Sequence, residues 1–133
     1  MKLQISTNYA IRILQYLHEH QWELPTAMTV SKAVGMSYSF FIKIANQLKH
    51  KGLIETVQGR NGGYRLAKNG AAISLYDVIL AIEGKLHINR CLEKDRFCSR
   101  DNADTCVIRN YFDGVQDTLI QELSSKRIAD LAS

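Results

Sequence analysis

The sequence predicts a mainly α fold with one small β-hairpin (α+β): a winged helix-turn-helix followed by a long C-terminal helix. Three observations predict it. Two short stretches with helical apolar spacing meet at Gly35-Met36. Two alternating runs, Ile54-Glu55-Thr56-Val57 and Tyr64-Arg65-Leu66-Ala67, flank the glycine-rich stretch from Gln58 to Gly63. Ile108, Phe112, Val115 and Leu119 follow the 4-3-4 spacing of a coiled-coil seam.

Taken in order, Ser6 or Thr7 can cap a first helix in which Ala10, Ile13, Leu14 and Leu17 recur on one face, and His20 to Pro25 breaks it. Thr29 is expected to cap a short second helix through Val34. Ser37 caps a third, with Phe41, Ile44, Ala45 and Leu48 inward and Phe40 also assigned to the core. Two short helices joined by a glycine-containing turn are a helix-turn-helix candidate. Gly52 ends the third helix, and the hairpin that follows at once makes the wing. Ser74 with Asp77 three residues on resembles a capping box opening a helix to Glu83, which Gly84 stops. Residues 85–106 show no period and read as a loop. A long helix then runs from about Cys106 to Leu123, with Tyr111 beside its seam, and Lys126 to Leu131 is expected to form one more turn packed back on the body. The organisation expected is one compact domain: residues 1–84 as the winged helix-turn-helix, 85–106 as a cysteine-containing sensor loop, and 107–133 as the dimerisation helix and tail.

At 133 residues, with 46% hydrophobic and 23% charged residues, the chain reads as one globular domain able to bury a core. No apolar run approaches the roughly 20 residues that span a bilayer, and the first residues lack a signal-peptide pattern. No membrane association and a cytoplasmic location are therefore expected. Three cysteines, Cys91, Cys98 and Cys106, fall within one short stretch and the rest of the chain has none. Where thiols stay reduced, such a cluster reads as ligands or redox sensors rather than disulfide staples.

Charge divides the chain. Residues 1–70 hold nine Lys or Arg and three acids, a balance of +6, whereas residues 71–133 hold eight against ten, a balance of −2. A positive half attracts a polyanion. The third helix is the element that would enter the major groove, bringing Ser37, Tyr38 and Ser39 to base edges with Lys43 one turn later. Ser37 is expected both to cap and to touch DNA, and Tyr38 is divided between contact and packing on its own turn. Lys43, Lys49 and Lys51 suit phosphates. At the wing tip Arg60, with Asn61 and Gly62, suits a narrow minor groove, and Gly59, Gly62 and Gly63 let the backbone approach it.

These residues resemble a known family. Lys51-Gly52-Leu53-Ile54, the wing Gly59-Arg60-Asn61-Gly62-Gly63-Tyr64-Arg65-Leu66-Ala67, Ile73 to Ile79 with Glu83-Gly84, and Ile128-Ala129-Asp130-Leu131 are similar to the Rrf-two family of winged-helix transcriptional regulators. The likeness covers the whole chain. Lys43 to Leu48 and the wing resemble its NsrR and IscR branches most. The resemblance implies a homodimer that pairs through the long C-terminal helix and sets two reading heads on a palindromic operator in double-stranded DNA. It also implies an iron–sulfur cluster, [2Fe-2S] or [4Fe-4S], held by Cys91, Cys98 and Cys106 and absent in an apo form. Loss, oxidation or nitrosylation of the cluster would change DNA binding, in response to nitric oxide, redox state or iron–sulfur status. Thiolates are the usual ligands of such clusters. Relatives complete the set with a carboxylate of the partner subunit's first helix or with a histidine three residues after the last cysteine. The matching positions here are Asn8 and Arg109, so Asn8 from the partner subunit or His87 is the candidate fourth ligand.

The function expected is thus a dimeric DNA-binding regulator, repression being the expected direction. The alternative is a cluster-free winged-helix regulator, in which two cysteines form a switchable disulfide or all three with His87 hold zinc. A winged helix that binds protein instead of DNA ranks below both. An enzyme ranks last: the chain has no Ser/His/Asp or paired-carboxylate constellation, and its glycine-rich stretch lacks the Lys-Ser/Thr of a phosphate loop.

Overall fold

A computed structural model describes residues 2–86, 88, 92 and 106–131. Its elements are α1 (Ile5–Glu19), α2 (Ala27–Val34), α3 (Tyr38–His50), β1 (Ile54–Val57), β2 (Gly63–Leu66), α4 (Leu75–Glu83) and α5 (Val107–Ser125), with 3-10 turns at Gly70–Ala72 and Ile128–Leu131. The fold is the mainly helical one expected, with a two-stranded antiparallel hairpin as its sheet and a long C-terminal helix.

The core forms where the apolar stripes meet. Ala10, Ile13, Leu14 and Leu17 of α1 face Val30 of α2 and Phe41, Ile44, Ala45 and Leu48 of α3, and Ile54, Ile73, Val78 and Ile128 close the cluster. Removing a large aliphatic side chain of this kind from water is worth roughly 1.5–3 kcal/mol, so this junction fixes how α3 sits on the body. The chain end seals it. Ile128 donates its N–H to the Ile73 carbonyl at 2.9 Å, Leu75 donates to the Lys126 carbonyl at 2.9 Å, and Gln15 Nε2 donates to the Leu131 carbonyl at 2.6 Å. The turn after Lys126 therefore packs back as expected.

Caps follow the sequence in three places and depart from it in two. Ser37 accepts from the Phe40 N–H at 3.2 Å. Gly35 ends α2 in the left-handed region, with φ 81°. The Ser74 and Asp77 capping box is complete: each side chain accepts the other residue's N–H. At α1, neither Ser6 nor Thr7 caps. The helix starts at Ile5 after Gln4, which supplies no side-chain cap. Thr7 is buried and donates its hydroxyl to Glu83 Oε2 at 2.5 Å, so a tertiary bond to the end of α4 takes the group a cap would need. At α2, Thr26 is the cap and Thr29 is the residue it serves, donating its N–H to Thr26 Oγ1 at 3.2 Å. The second wing strand begins at Gly63, one residue earlier than expected, and ends at Leu66. Ile54 pairs with Leu66, Glu55 with Arg65, Thr56 with Tyr64 and Val57 with Gly63.

The long helix also differs. It runs Val107–Ser125, but its 4-3-4 seam divides between two faces. Phe112 and Leu119 are partly buried, while Ile108 and Val115 are exposed. The outward stripe is Val107, Ile108, Tyr111 and Val115, with Val107 80% and Tyr111 69% accessible. No helix among the described residues is long and apolar enough to cross a membrane.

Candidate nucleic-acid interface

The face of α3 opposite its buried stripe carries Ser39, Lys43, Asn46 and His50, each exposed, at the i, i+4, i+7 and i+11 positions of one helical stripe. Ser37 and Tyr38 stand at the start of the same helix, and Tyr38 is 51% accessible. Lys43 and Lys49 are exposed as expected. Asn46 and the neighbouring exposed Gln47 are residues the sequence reading left out. Their distance from Lys43, one turn, was the available signal. Amide side chains matter on such a stripe because Asn and Gln can bond both N6 and N7 of adenine.

Two aromatic contacts set the pitch of α3. Phe40 meets Tyr9 of α1 edge-on, with ring centroids 5.5 Å apart, and Phe41 meets Tyr64 of β2 edge-on at 5.2 Å. Tyr64 is thus the hinge between reading helix and wing. Burial, and secondarily the nearby Tyr38, pushes its phenol above the ordinary value of 10.0. Its N–H donates to the Pro25 carbonyl at 2.9 Å, tying the wing to the α1–α2 connection as well.

The wing tip holds Arg60 and Asn61, both exposed, after Gly59 at φ 110°. The Gly62 N–H closes the turn on the Gly59 carbonyl at 3.1 Å. A Cβ on Gly62 would run into the Val57 carbonyl, and one on Gly63 would run into the carbonyls of Leu24 and Pro25. Close backbone approach at these two glycines is therefore already used inside the fold. Glu55, the one acid between residues 28 and 68, pairs with Arg65 across the hairpin at 2.6 Å. The remaining cations of that segment, Arg60 among them, face an environment cleared of carboxylates from within it.

The cysteine region is described in part. Cys106 is the residue before α5; its thiol is free and partly exposed. Asn8 is exposed on α1, one residue after the Thr7 that binds Glu83. Cys91, Cys98 and His87 lie outside the described residues. Among the described residues, no three His, Cys, Asp or Glu side chains come together as a metal site.

Comparison with known proteins agrees with this geometry. The family model described as "Rrf2: Iron-dependent Transcriptional regulator" matches residues 3–133. The chain is 32% identical over 134 residues to "Protein aau3" of Rhizobium meliloti (strain 1021), covering 96% of this chain and 87% of that protein. It is 32% identical over 109 residues to "HTH-type transcriptional regulator NsrR" of Shouchella clausii (strain KSM-K16), covering 81% and 68%. Among solved structures it resembles IscR of T. potens with a TM-score of 0.76 at 23% identity, over 98% of this chain and 85% of that one. It also resembles CymR (YrzC), the global cysteine regulator of B. subtilis, with a TM-score of 0.74 at 22% identity, over 99% and 96%. A winged helix with an exposed basic reading face and a full-length family match have one meaning: the chain belongs to the Rrf2 family of transcriptional regulators.

Proposed function

We propose that the chain acts as a homodimeric repressor on a palindromic operator, read by Ser37, Tyr38, Ser39, Lys43 and Asn46 in the major groove. Lys49 contacts phosphates, and Arg60 and Asn61 enter the minor groove, while Gly62 closes the wing turn behind them. The observation that carries this reading is the exposed polar and basic stripe of α3, a helix tied to the wing by the edge-on contact of the Phe41 and Tyr64 rings. Phosphate contacts release counterions, so affinity should fall steeply with salt. Two heads one helical turn apart, about 34–36 Å on the operator, need a fixed spacing, and α5 is the element with an apolar face left to supply it.

Cys91, Cys98 and Cys106 are the residues we assign to an iron–sulfur cluster, which when bound would supply a redox- and nitric-oxide-sensitive centre. The donor set fits: thiolates are soft, cluster-forming ligands, and the Cys106 thiol is free and accessible at the start of α5. The fit is incomplete at the fourth position, because the amide of Asn8 is a weaker iron ligand than a carboxylate and the guanidinium of Arg109, a permanent cation with no free lone pair, cannot ligate iron. His87, a solvent molecule or a small thiol would complete the set. That same gap favours a second reading, a thiol switch among the cysteines with no cluster. The action is expected where thiols stay reduced, in the cytoplasm.

The deciding experiment is an absorption spectrum of oxygen-free protein with iron and sulfide assayed on the same sample, followed by anisotropy titrations of operator DNA. Iron and sulfide in similar amounts, with different operator affinity in loaded and cluster-free protein, would support the cluster reading. Colourless protein after anaerobic reconstitution would leave the thiol switch. Equal affinity of reduced, oxidised and loaded forms would remove the sensor altogether.

A further inference from the structure

Asparagine followed by glycine is the peptide pair most prone to spontaneous deamidation, because glycine has no side chain to shield the nitrogen that attacks. The chain holds two such pairs, Asn61-Gly62 and Asn69-Gly70, and the fold treats them differently. Asn69 is fastened. Its Oδ1 accepts the Ala71 N–H at 2.9 Å and its carbonyl accepts the Ala72 N–H at 2.8 Å. Gly70 is buried, where a Cβ would strike the His18 ring. Asn61, by contrast, is exposed at the wing tip, and no hydrogen bond holds its side chain among the described residues. Gly62 lies outside the strand ladder, whose closing pair is Val57 with Gly63, and its N–H is held by one bond, to the Gly59 carbonyl at 3.1 Å. Opening a single bond at an exposed loop tip is a small local fluctuation. Nor can the pair be lost by replacing its glycine, since a Cβ on Gly62 would strike the Val57 carbonyl.

We propose that Asn61 is a site of spontaneous deamidation, and that its conversion weakens DNA binding by putting a carboxylate beside Arg60. The Gly62 nitrogen gives its proton to solvent base and bonds to Asn61 Cγ; the Cγ–Nδ2 bond breaks and Nδ2 leaves as ammonia. Water then opens the cyclic imide at either carbonyl, giving aspartate or isoaspartate. Either product adds one negative charge at neutral pH. Isoaspartate also routes the backbone through the former side chain and lengthens the turn by one carbon. The one acid between residues 28 and 68, Glu55, is held by Arg65. The new carboxylate is therefore the first in that segment left to pair with Arg60, and it opposes phosphates by like charge. The consequence for binding rests on the wing reading above; the modification itself does not.

The test is incubation of the wild-type protein in mildly alkaline buffer, with peptide mapping by mass spectrometry for exchange of NH2 by OH at Asn61 and Asn69. In the folded protein Asn61 should convert at least about tenfold faster than Asn69, which has one more bond to break and a buried neighbour. In urea the two rates should converge. Equal rates in the folded protein, or the same ratio in urea, would overturn the site. Binding is read by anisotropy with a labelled duplex carrying an A-tract, whose narrow minor groove suits arginine. Wild-type protein aged until Asn61 has converted, and Asn61→Asp, should bind this duplex about five- to a hundredfold more weakly than fresh wild type. Asn61→Gln closes the ring slowly and should keep its own starting affinity through the same incubation, which controls for change elsewhere in the chain. Full affinity in the aged wild type, or an equal loss in aged Asn61→Gln, would overturn the effect on binding. If Arg60→Ala then also binds normally, the wing reading falls with it; if Arg60→Ala binds weakly, the deamidation effect alone is lost.

Discussion

Within the wing, adjacent residues do opposite work. Gly62 and Gly63 turn inward, where a methyl group would strike the Val57, Leu24 and Pro25 carbonyls. Arg60 turns outward with no carboxylate of its own segment left to pair, because Arg65 holds Glu55. Gly63→Ala should therefore push the wing off the α1–α2 connection, lowering the melting temperature and operator affinity together, as calorimetry and anisotropy would show. Arg60→Ala should leave the melting temperature unchanged, weaken operator binding by about 1–3 kcal/mol and reduce the salt slope by about one. If affinity and salt slope both stay at wild-type values, Arg60 does not touch DNA. Tyr64 gives a pH signature. Its folded pKa lies above the unfolded value of 10.0, so the unfolded chain loses that proton first. Its contribution is complete below pH 10.0 and is lost as pH rises through the folded value. Tyr64→Phe should flatten the alkaline fall in stability measured between pH 9 and 11. The exposed wing-tip position of Arg60 was legible in the sequence because its glycine setting is local. The inward role of Gly62 and Gly63 was not legible: the sequence suggested an approach to the groove, and the atoms that Gly63 meets belong to a distant connection.

Among the elements, helix starts with one eligible local cap were readable, and those with two eligible caps or a distant competing partner were not. Ser74 and Asp77 define α4 by a reciprocal pair of bonds that need nothing else. Ser74→Ala should remove about 1 kcal/mol, which for a chain of this size lowers the melting temperature by roughly 3–5 °C. An unchanged transition would show that the bridge from Arg127 to residue 74, and not the cap, holds this helix start. The start of α1 was misread because Thr7, a fair cap by type, is taken by Glu83 from the far end of α4. The start of α2 was misread by three residues because Thr26 and Thr29 are both eligible, and the order is decided by which hydroxyl meets which N–H. In α3 the core face was legible from its spacing. The amides at Asn46 and Gln47 were missed because exposure on one face does not itself distinguish contact from solvation.

At the scale of the whole molecule, the open question of the sequence was what α5 packs against. The 4-3-4 spacing described a single seam, yet the fold turns Phe112, Gln116 and Leu119 toward the body and leaves Val107, Ile108, Tyr111 and Val115 outward. That outward stripe is the surface we assign to pairing. Ile108→Glu combined with Val115→Lys should yield a monomer by sedimentation equilibrium and reduce palindromic operator binding to that of a single half-site, with the helix content by circular dichroism retained. A dimer that survives the double substitution would place the interface elsewhere. By itself the sequence determined the winged helix, its basic reading face, its family resemblance and the set of cysteines, because periodicity, charge and motif spacing are properties of neighbouring residues. The tertiary structure alone decided that two wing glycines serve the fold, that Tyr64 joins wing to reading helix, and that Gln116 binds the Ile88 backbone. Each of these is a contact between segments far apart in the chain, and such contacts exist only once the core has fixed where α1, α3 and α5 lie.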